Sequence, residues 1–444
     1  MSAVLHRNFR KSLRFAVGGE GCYLIDDQGK RYIDASGGAA VSSLGHSNAR
    51  VIQAIQRQVA QLPYAHTSFF TNYPVEALAE RLISGAPSGF GAGRAAFVGS
   101  GSEAMEMALK LARQYFVERG EPERSHFIAR RSSYHGNTLG ALSVGGHFQR
   151  RLPYAPMLMD VTHIAPCHAY RLQAEDESTE EYGQRAADEL DAAIQHVGAH
   201  RVAAFVAEPV VGATLGSVPA VPGYFRRIRE ICDRHGVLFI ADEVMCGMGR
   251  TGTIFALEQE AVCPDIITLG KGLGAGYLPI GATLASGGVV ETIDRHSGVL
   301  ASGHTYMSHA VACAGALAVL DCMDDDLLSN VRAQGAYLDA KLRERFVAHP
   351  HVGDIRGRGL FHSVELVADR ATKQPLPANR GLAERIKAAA LEHGLVCYPS
   401  SGSVDGDAGE HVLLAPPYIV THAQIDEIVD KLAATFDTVL SPSL

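Results

Sequence analysis

At 444 residues the chain is too long for one ordinary hydrophobic core, and 47% hydrophobic residues with 46 glycines suit a large α/β domain joined to a smaller one. A formal net charge of −8, with no lysine or arginine cluster to reverse it, argues against a nucleic-acid partner. Eight scattered cysteines without a C-x-x-C pair, no apolar run long enough to span a membrane, and an N-terminal stretch without the core of a signal peptide lead to the expectation of a cytoplasmic protein with no membrane partner.

In chain order, residues 23–34 read as a hairpin around the turn Asp27-Gln28-Gly29. Ala95-Ala96-Phe97-Val98 predicts a strand. The segment Gly99-Ser100-Gly101-Ser102-Glu103 then opens a helix whose apolar stripe is Met105, Ala108, Leu109, Ala112 and Phe116. Ser100 and Glu103 fit a capping box, so this is a helix N-terminus with glycines before it, where free amides and the helix dipole attract phosphate. A plain serine-glycine loop is the alternative. Ser133-Tyr134-His135-Gly136-Asn137 follows and offers an aromatic ring at Tyr134. The acidic stretch 173–181 reads only as a solvated face.

Three apolar runs without alternation then read as strands buried on both faces, as in a parallel sheet. Residues 203–207 end in Glu208-Pro209, residues 237–241 in Asp242-Glu243, and residues 266–269 in Gly270-Lys271-Gly272. Each run thus delivers a charged side chain to the carboxyl edge, where open α/β sheets keep their chemistry. A buried ion pair or a solvated loop lysine would account for one such residue alone. Together they meet three requirements: a lysine for an imine, a carboxylate to keep a pyridine nitrogen protonated, and a cradle for one phosphate. Pyridoxal 5′-phosphate needs all three, because its ring is an electron sink only while that nitrogen stays protonated. Tyr134 can stack on one face of such a ring, and Val244, two residues past Asp242, can press on the other.

From Gly21-Cys22-Tyr23-Leu24-Ile25-Asp26 to Ala415-Pro416-Pro417-Tyr418 the chain resembles the class III pyridoxal-phosphate aminotransferases of fold type I. The most specific segment is Asp242-Glu243-Val244-Met245-Cys246-Gly247-Met248-Gly249-Arg250-Thr251-Gly252, followed by Pro264-Asp265-Ile266 and the lysine loop. The resemblance implies an α/β fold with a large domain over residues 73–325, built on a mainly parallel sheet. A smaller α+β domain would be formed by residues 1–72 together with 326–444. It also implies that Lys271 carries the internal aldimine and shuttles the proton in a ping-pong transamination, while Asp242 pairs with the ring nitrogen. Gly101 and Ser102 match the phosphate turn, Tyr134, His135 and Val244 the ring's surroundings, and Glu208 an acid near the cofactor. Thr305, in Ser302-Gly303-His304-Thr305-Tyr306, matches a threonine that reaches the neighbouring subunit's phosphate, which implies a homodimer with its active site at the interface.

Substrate choice rests on departures from the family pattern. Ala213 stands where relatives using 2-oxoglutarate with ornithine or 4-aminobutyrate carry a switch glutamate, and a methyl cannot pair with a guanidinium. Leu413 takes the place of an arginine that clamps substrate carboxylates in many members; Arg356 is a possible substitute, with a structural role the alternative. The expected reaction moves an amino group from an omega-amino acid or amine to a small 2-oxo acid, pyruvate first. A 2-oxoglutarate enzyme, or a decarboxylating or aminomutase variant, is the alternative. A non-catalytic regulator on this fold would be expected to lose Lys271 or Asp242. No metal is expected: His163, His168 and His309 have no spacing that puts ligands on one face, and no His-Glu-x-x-His pattern occurs.

Overall fold

The computed structural model describes residues 2–377, 381–404 and 406–440. Residues 1, 378–380, 405 and 441–444, all within the segments expected to form the smaller domain, lie outside the described residues. Seven strands form the central sheet in the order Arg94–Val98, Gly281–Ala285, Ile266–Leu269, Leu238–Asp242, Val202–Ala207, His126–Arg130, Val161–Ile164. Gly281–Ala285 runs antiparallel to both its neighbours, and every other adjacent pair is parallel.

The three runs that lack alternation are buried at every position because both faces of the sheet are covered. Phe205, Ala207, Phe239 and Ala241 join the core beneath the helices Thr179–Val197 and Tyr224–His235. Ala204, Val206 and Ile240 face the opposite layer with the helix Gly101–Glu118, whose predicted stripe is buried throughout.

Among the described residues three smaller sheets complete the architecture, one of them only the pair Val210–Val211 and Val218–Pro219. The expected hairpin is present, Tyr23–Asp26 against Arg31–Asp34, with Gly29 taking the left-handed φ of 78° that the turn requires. Leu395–Val396 adds in parallel to Arg31–Asp34, so the N-terminal strands share a sheet with a strand from near the other end of the chain. A five-stranded sheet runs Val352–Gly357, His362–Asp369, Glu410–Leu414, Tyr398–Ser401, with Gln374–Pro375 pairing His362–Asp369 off that path. Val331, Leu342, Leu366, Ile386, Ile428 and Phe436 fill the core that continues from there to Ile267 and Leu269 of the central sheet.

Two local expectations need correction. Ser100 does cap its helix by accepting from the Glu103 amide, but the Glu103 carboxylate turns to the Gly99 amide at 2.7 Å instead of that of Ser100, so the box is only half made. The acidic stretch 173–181 is more than a solvated face. Ser178 and Glu181 close a complete capping box on Thr179–Val197, and Glu177 pairs with Arg185 at 2.7 Å.

Candidate active site

The register of the central sheet explains the convergence. Asp242 lies beside Thr268 and Ala241 beside Ala207, so the chain leaves all three buried strands at the same edge, with Glu208, Asp242 and Lys271 one to two residues beyond or at the strand ends. Those three side chains, Tyr134, His135, Ser102 and Val244 line one cavity of about 450 Å³, a size suited to a cofactor with a small substrate. Lys271 adopts φ 42°, a left-handed conformation that costs a side-chain-bearing residue on the order of 1–3 kcal/mol and survives only where surrounding structure imposes it. Burial pushes its ammonium down from the usual lysine value, opposed by the charges of Asp242 and Glu208, with Arg150's positive charge adding to the fall. An amine eased toward its neutral form is the nucleophile that imine formation needs.

Asp242, 3% exposed, has both carboxylate oxygens engaged and acceptor capacity left over. One oxygen accepts from His135 Nδ1 at 2.7 Å, the other from the Val244 amide at 3.0 Å and Thr268 Oγ1 at 3.2 Å. A carboxylate only accepts, which fixes the proton on His135 Nδ1. Burial disfavours the charged imidazole, but the charge of Glu208, with the hydrogen bond to Asp242 and its charge, outweighs it, and the His135 value is raised. Glu208 accepts the Tyr134 amide at 3.1 Å and lies 3.5 Å from Arg130, which is buried and also donates to the Glu208 backbone carbonyl. Glu208 thus sets the backbone that carries the Tyr134 ring.

Gly101 and Ser102, which line the same cavity, begin an 18-residue helix, where the first amides have no intrahelical partner. Ser102 Oγ accepts the Asn137 amide at 3.0 Å, tying this turn to the loop bearing Tyr134. Glycine is needed at 101 because a Cβ there would lie 2.8 Å from Val244 Cγ1. The donor set fits pyridoxal 5′-phosphate: helix-terminal amides for a phosphate, Asp242 for a protonated ring nitrogen, and Lys271 for an aldehyde.

Ala213 also lines the cavity, but three other expected residues do not. Arg356 is spent elsewhere: it pairs with Glu365 at 2.5 Å and Asp354 at 2.9 Å and donates to the carbonyls of Gly216 and Leu215, so it has no edge left for a substrate. Of the two readings left open for Arg356, these contacts favour the structural tie over the carboxylate clamp. Leu413 is wholly buried in Glu410–Leu414, in an apolar cluster with Phe361 and Ala415, and does not reach the cavity wall. Thr305 is exposed on this chain, its carbonyl accepting from Tyr64 at 2.8 Å. Conversely, sequence reasoning missed Arg7, Arg150 and Tyr398, which line the cavity from the N-terminal segment, the short helix Phe148–Arg151 and the strand Tyr398–Ser401. None carries a local motif, and only a search for uncommitted arginines near Tyr134 would have raised Arg150.

Among the described residues no helix is long and apolar enough to cross a membrane. The family model for class-III aminotransferases matches residues 4–436. An uncharacterized aminotransferase of Schizosaccharomyces pombe is 46% identical over 427 residues, spanning 96% of this chain and 93% of that protein. An omega transaminase from Pseudomonas jessenii solved in complex with PMP superposes with a TM-score of 0.89 at 36% identity, covering 96% of this chain and 93% of the other. A thermostable (S)-enantioselective omega-transaminase from Thermomicrobium roseum gives 0.90 at 34% identity, covering 97% and 94%.

Proposed function

Because the chain belongs to the class-III aminotransferases, enzymes dependent on pyridoxal 5′-phosphate, we propose that it moves an amino group from an omega-amino acid or amine to a small 2-oxo acid, pyruvate first. The observation that carries the choice of acceptor is Ala213 in the cavity wall, a methyl that cannot neutralise an arginine between half-reactions as a glutamate at that position would. Bound, the cofactor supplies an aldehyde carbon and an electron sink. Lys271 would hold it covalently and, once the incoming amine has displaced that bond, its freed amine would be placed to move a proton at the substrate carbon. Asp242 keeps the ring nitrogen charged, and His135 holds Asp242 in place. Tyr134 and Val244 flank the ring, Gly101 and Ser102 bind the phosphate, and Glu208 acts through the Tyr134 amide.

The site is completed by a second copy, in this reading, with Thr305 of the partner subunit reaching the phosphate. The surface supports a homodimer: Phe69, Phe70, Tyr73 and Tyr306 are 67% exposed or more, around the segment that bears Thr305. A division at residues 73–325 against 1–72 and 326–444 is supported by the parallel pairing of Leu395–Val396 with Arg31–Asp34.

Arg7 and Arg150 in the same cavity favour a second reading, in which a dicarboxylate such as 2-oxoglutarate is the acceptor. Steady-state kinetics with one fixed amine donor separates the two. Pyruvate is expected to match or exceed 2-oxoglutarate in kcat/KM, and a clear preference for 2-oxoglutarate would transfer the proposal to the second reading.

A further inference from the structure

Every carboxylate-binding role considered from the sequence is vacant: Leu413 is apolar and buried, and Arg356 is consumed by Glu365, Asp354 and two backbone carbonyls. Yet both half-reactions of the proposed transamination bring a carboxylate to Lys271 when the substrate is an amino acid or a 2-oxo acid. We infer that Arg150 is the specificity-determining residue that holds this carboxylate, an inference that rests on the aminotransferase reading above.

Position comes first. Arg150 lines the cavity together with Lys271, and its guanidinium stands 4.8 Å from the centroid of the Tyr134 ring. A guanidinium over an aromatic face is oriented by the ring's quadrupole, while its N–H groups point outward in its own plane, the geometry that meets a carboxylate in bidentate fashion.

Availability comes second. Among the described residues the Arg150 side chain makes no ion pair or hydrogen bond, whereas Arg130 is paired with Glu208, and Arg250, buried and donating through Nη1 to the carbonyls of Leu360 and Pro416, does not line the cavity. The carboxylates of the cavity cannot claim Arg150 either. Asp242 is held by His135, Val244 and Thr268, and Glu208 by Tyr134 and Arg130. Exposed and uncommitted among the described residues, Arg150 is left able to take a carboxylate that arrives with the substrate.

Arg7 is the rival, since it lines the same cavity and makes no ion pair among the described residues. It sits on a segment with no regular secondary structure, whereas Arg150 is carried by Phe148–Arg151, with its own amide bonded to the His147 carbonyl at 3.2 Å. Holding a carboxylate in one geometry takes a fixed base.

The test uses the holoenzyme and the variants Arg150→Leu, Arg150→Lys and Arg7→Leu. Single-turnover reactions with L-alanine and with isopropylamine compare donors that differ in the carboxylate. Titration with propionate, an unreactive carboxylate, followed through the bound cofactor's absorbance, reads binding alone. Arg150→Leu is expected to raise the half-saturating L-alanine concentration and the propionate Kd roughly 10- to 100-fold, at least tenfold more than it affects isopropylamine. Arg150→Lys is expected to recover part of the loss, keeping the charge without the fork. Equal losses for both donors, an unmoved propionate Kd, or a carboxylate effect that follows Arg7→Leu instead would overturn the inference and leave the aminotransferase reading standing. A wild-type enzyme that exchanges no amino group with either donor would instead strike at that reading, and the propionate titration would still decide Arg150.

Discussion

Replacing Asp242 with asparagine removes one charge and keeps the shape, so it separates what the carboxylate holds from what it does. In the native site one oxygen faces the His135 Nδ1 proton at 2.7 Å and the other takes the Val244 amide and Thr268 Oγ1. An amide can keep only one of these sets: its NH2 must confront either the imidazole N–H or the Val244 N–H. Moving the imidazole proton to Nε2 gives no relief, because that nitrogen is buried without a hydrogen-bond partner among the described residues. One unsatisfied buried donor costs about 1–3 kcal/mol of stability. The chemical loss is larger. A preorganised charge aimed at the developing charge of the transition state is worth about 3 kcal/mol or more, so the half-reaction is expected to slow at least 100- to 1,000-fold. Stopped-flow absorbance with a single donor measures this directly, and urea unfolding measures the structural part. The raised His135 value adds a pH signature. A group raised on folding stabilises fully below its unfolded value near 6.5 and loses that stabilisation as pH rises through the folded value. With Asp242 gone, that decline in stability above pH 6.5 should shrink, Glu208 alone sustaining what is left. A half-reaction within threefold of wild type would refute the role of Asp242.

Other perturbations test neighbouring parts. Lys271→Ala should still bind the cofactor through Asp242, Tyr134 and the helix-terminal amides, yet show no covalent adduct by mass spectrometry after borohydride reduction; transamination at the wild-type rate would remove Lys271 from its role. Glu208→Ala leaves Arg130 buried without its counter-charge and the Tyr134 amide unpaired, so unfolding free energy should fall by about 3–5 kcal/mol, and a fall under about 1 kcal/mol would mean the pair is solvated. Gly101→Ala puts a methyl 2.8 Å from Val244 Cγ1, for an expected 1–3 kcal/mol destabilisation, roughly, with weaker cofactor binding by equilibrium titration; unchanged binding would detach this turn from the phosphate.

What was legible in the sequence was whatever local chemistry encodes. Strands buried on both faces cannot alternate, so 203–207, 237–241 and 266–269 betrayed themselves and their terminal Glu208, Asp242 and Lys271. The helix at Gly101 announced itself through its stripe and its Ser100 cap, although the choice of Glu103 between two adjacent amides, Gly99 over Ser100, was beyond local pattern. Contacts between distant segments left no such trace. That His135 would face Asp242 depends on how the loop after His126–Arg130 folds over the sheet edge. Arg356 read as available because its partner Glu365 lies on the next strand, two residues beyond its direct register neighbour Ser363. Arg150 was invisible because its four-residue helix has no apolar period, and the side-chain partner it has among the described residues, the face of Tyr134, lies sixteen positions earlier (150 minus 134).

The central claim is that one chemical cycle runs through Lys271, with an amino group passing onto the bound cofactor and off again to a keto acid. Its most direct measurement is a stoichiometric one: the purified holoenzyme is mixed with an amine donor alone, freed of excess donor, then given pyruvate, with cofactor absorbance followed throughout and alanine quantified. The account predicts loss of the visible band in the first step, its return in the second, and one alanine formed per chain. A holoenzyme whose band stays unmoved by a broad panel of amines and amino acids, or recovers without stoichiometric alanine from pyruvate or glutamate from 2-oxoglutarate, would contradict it.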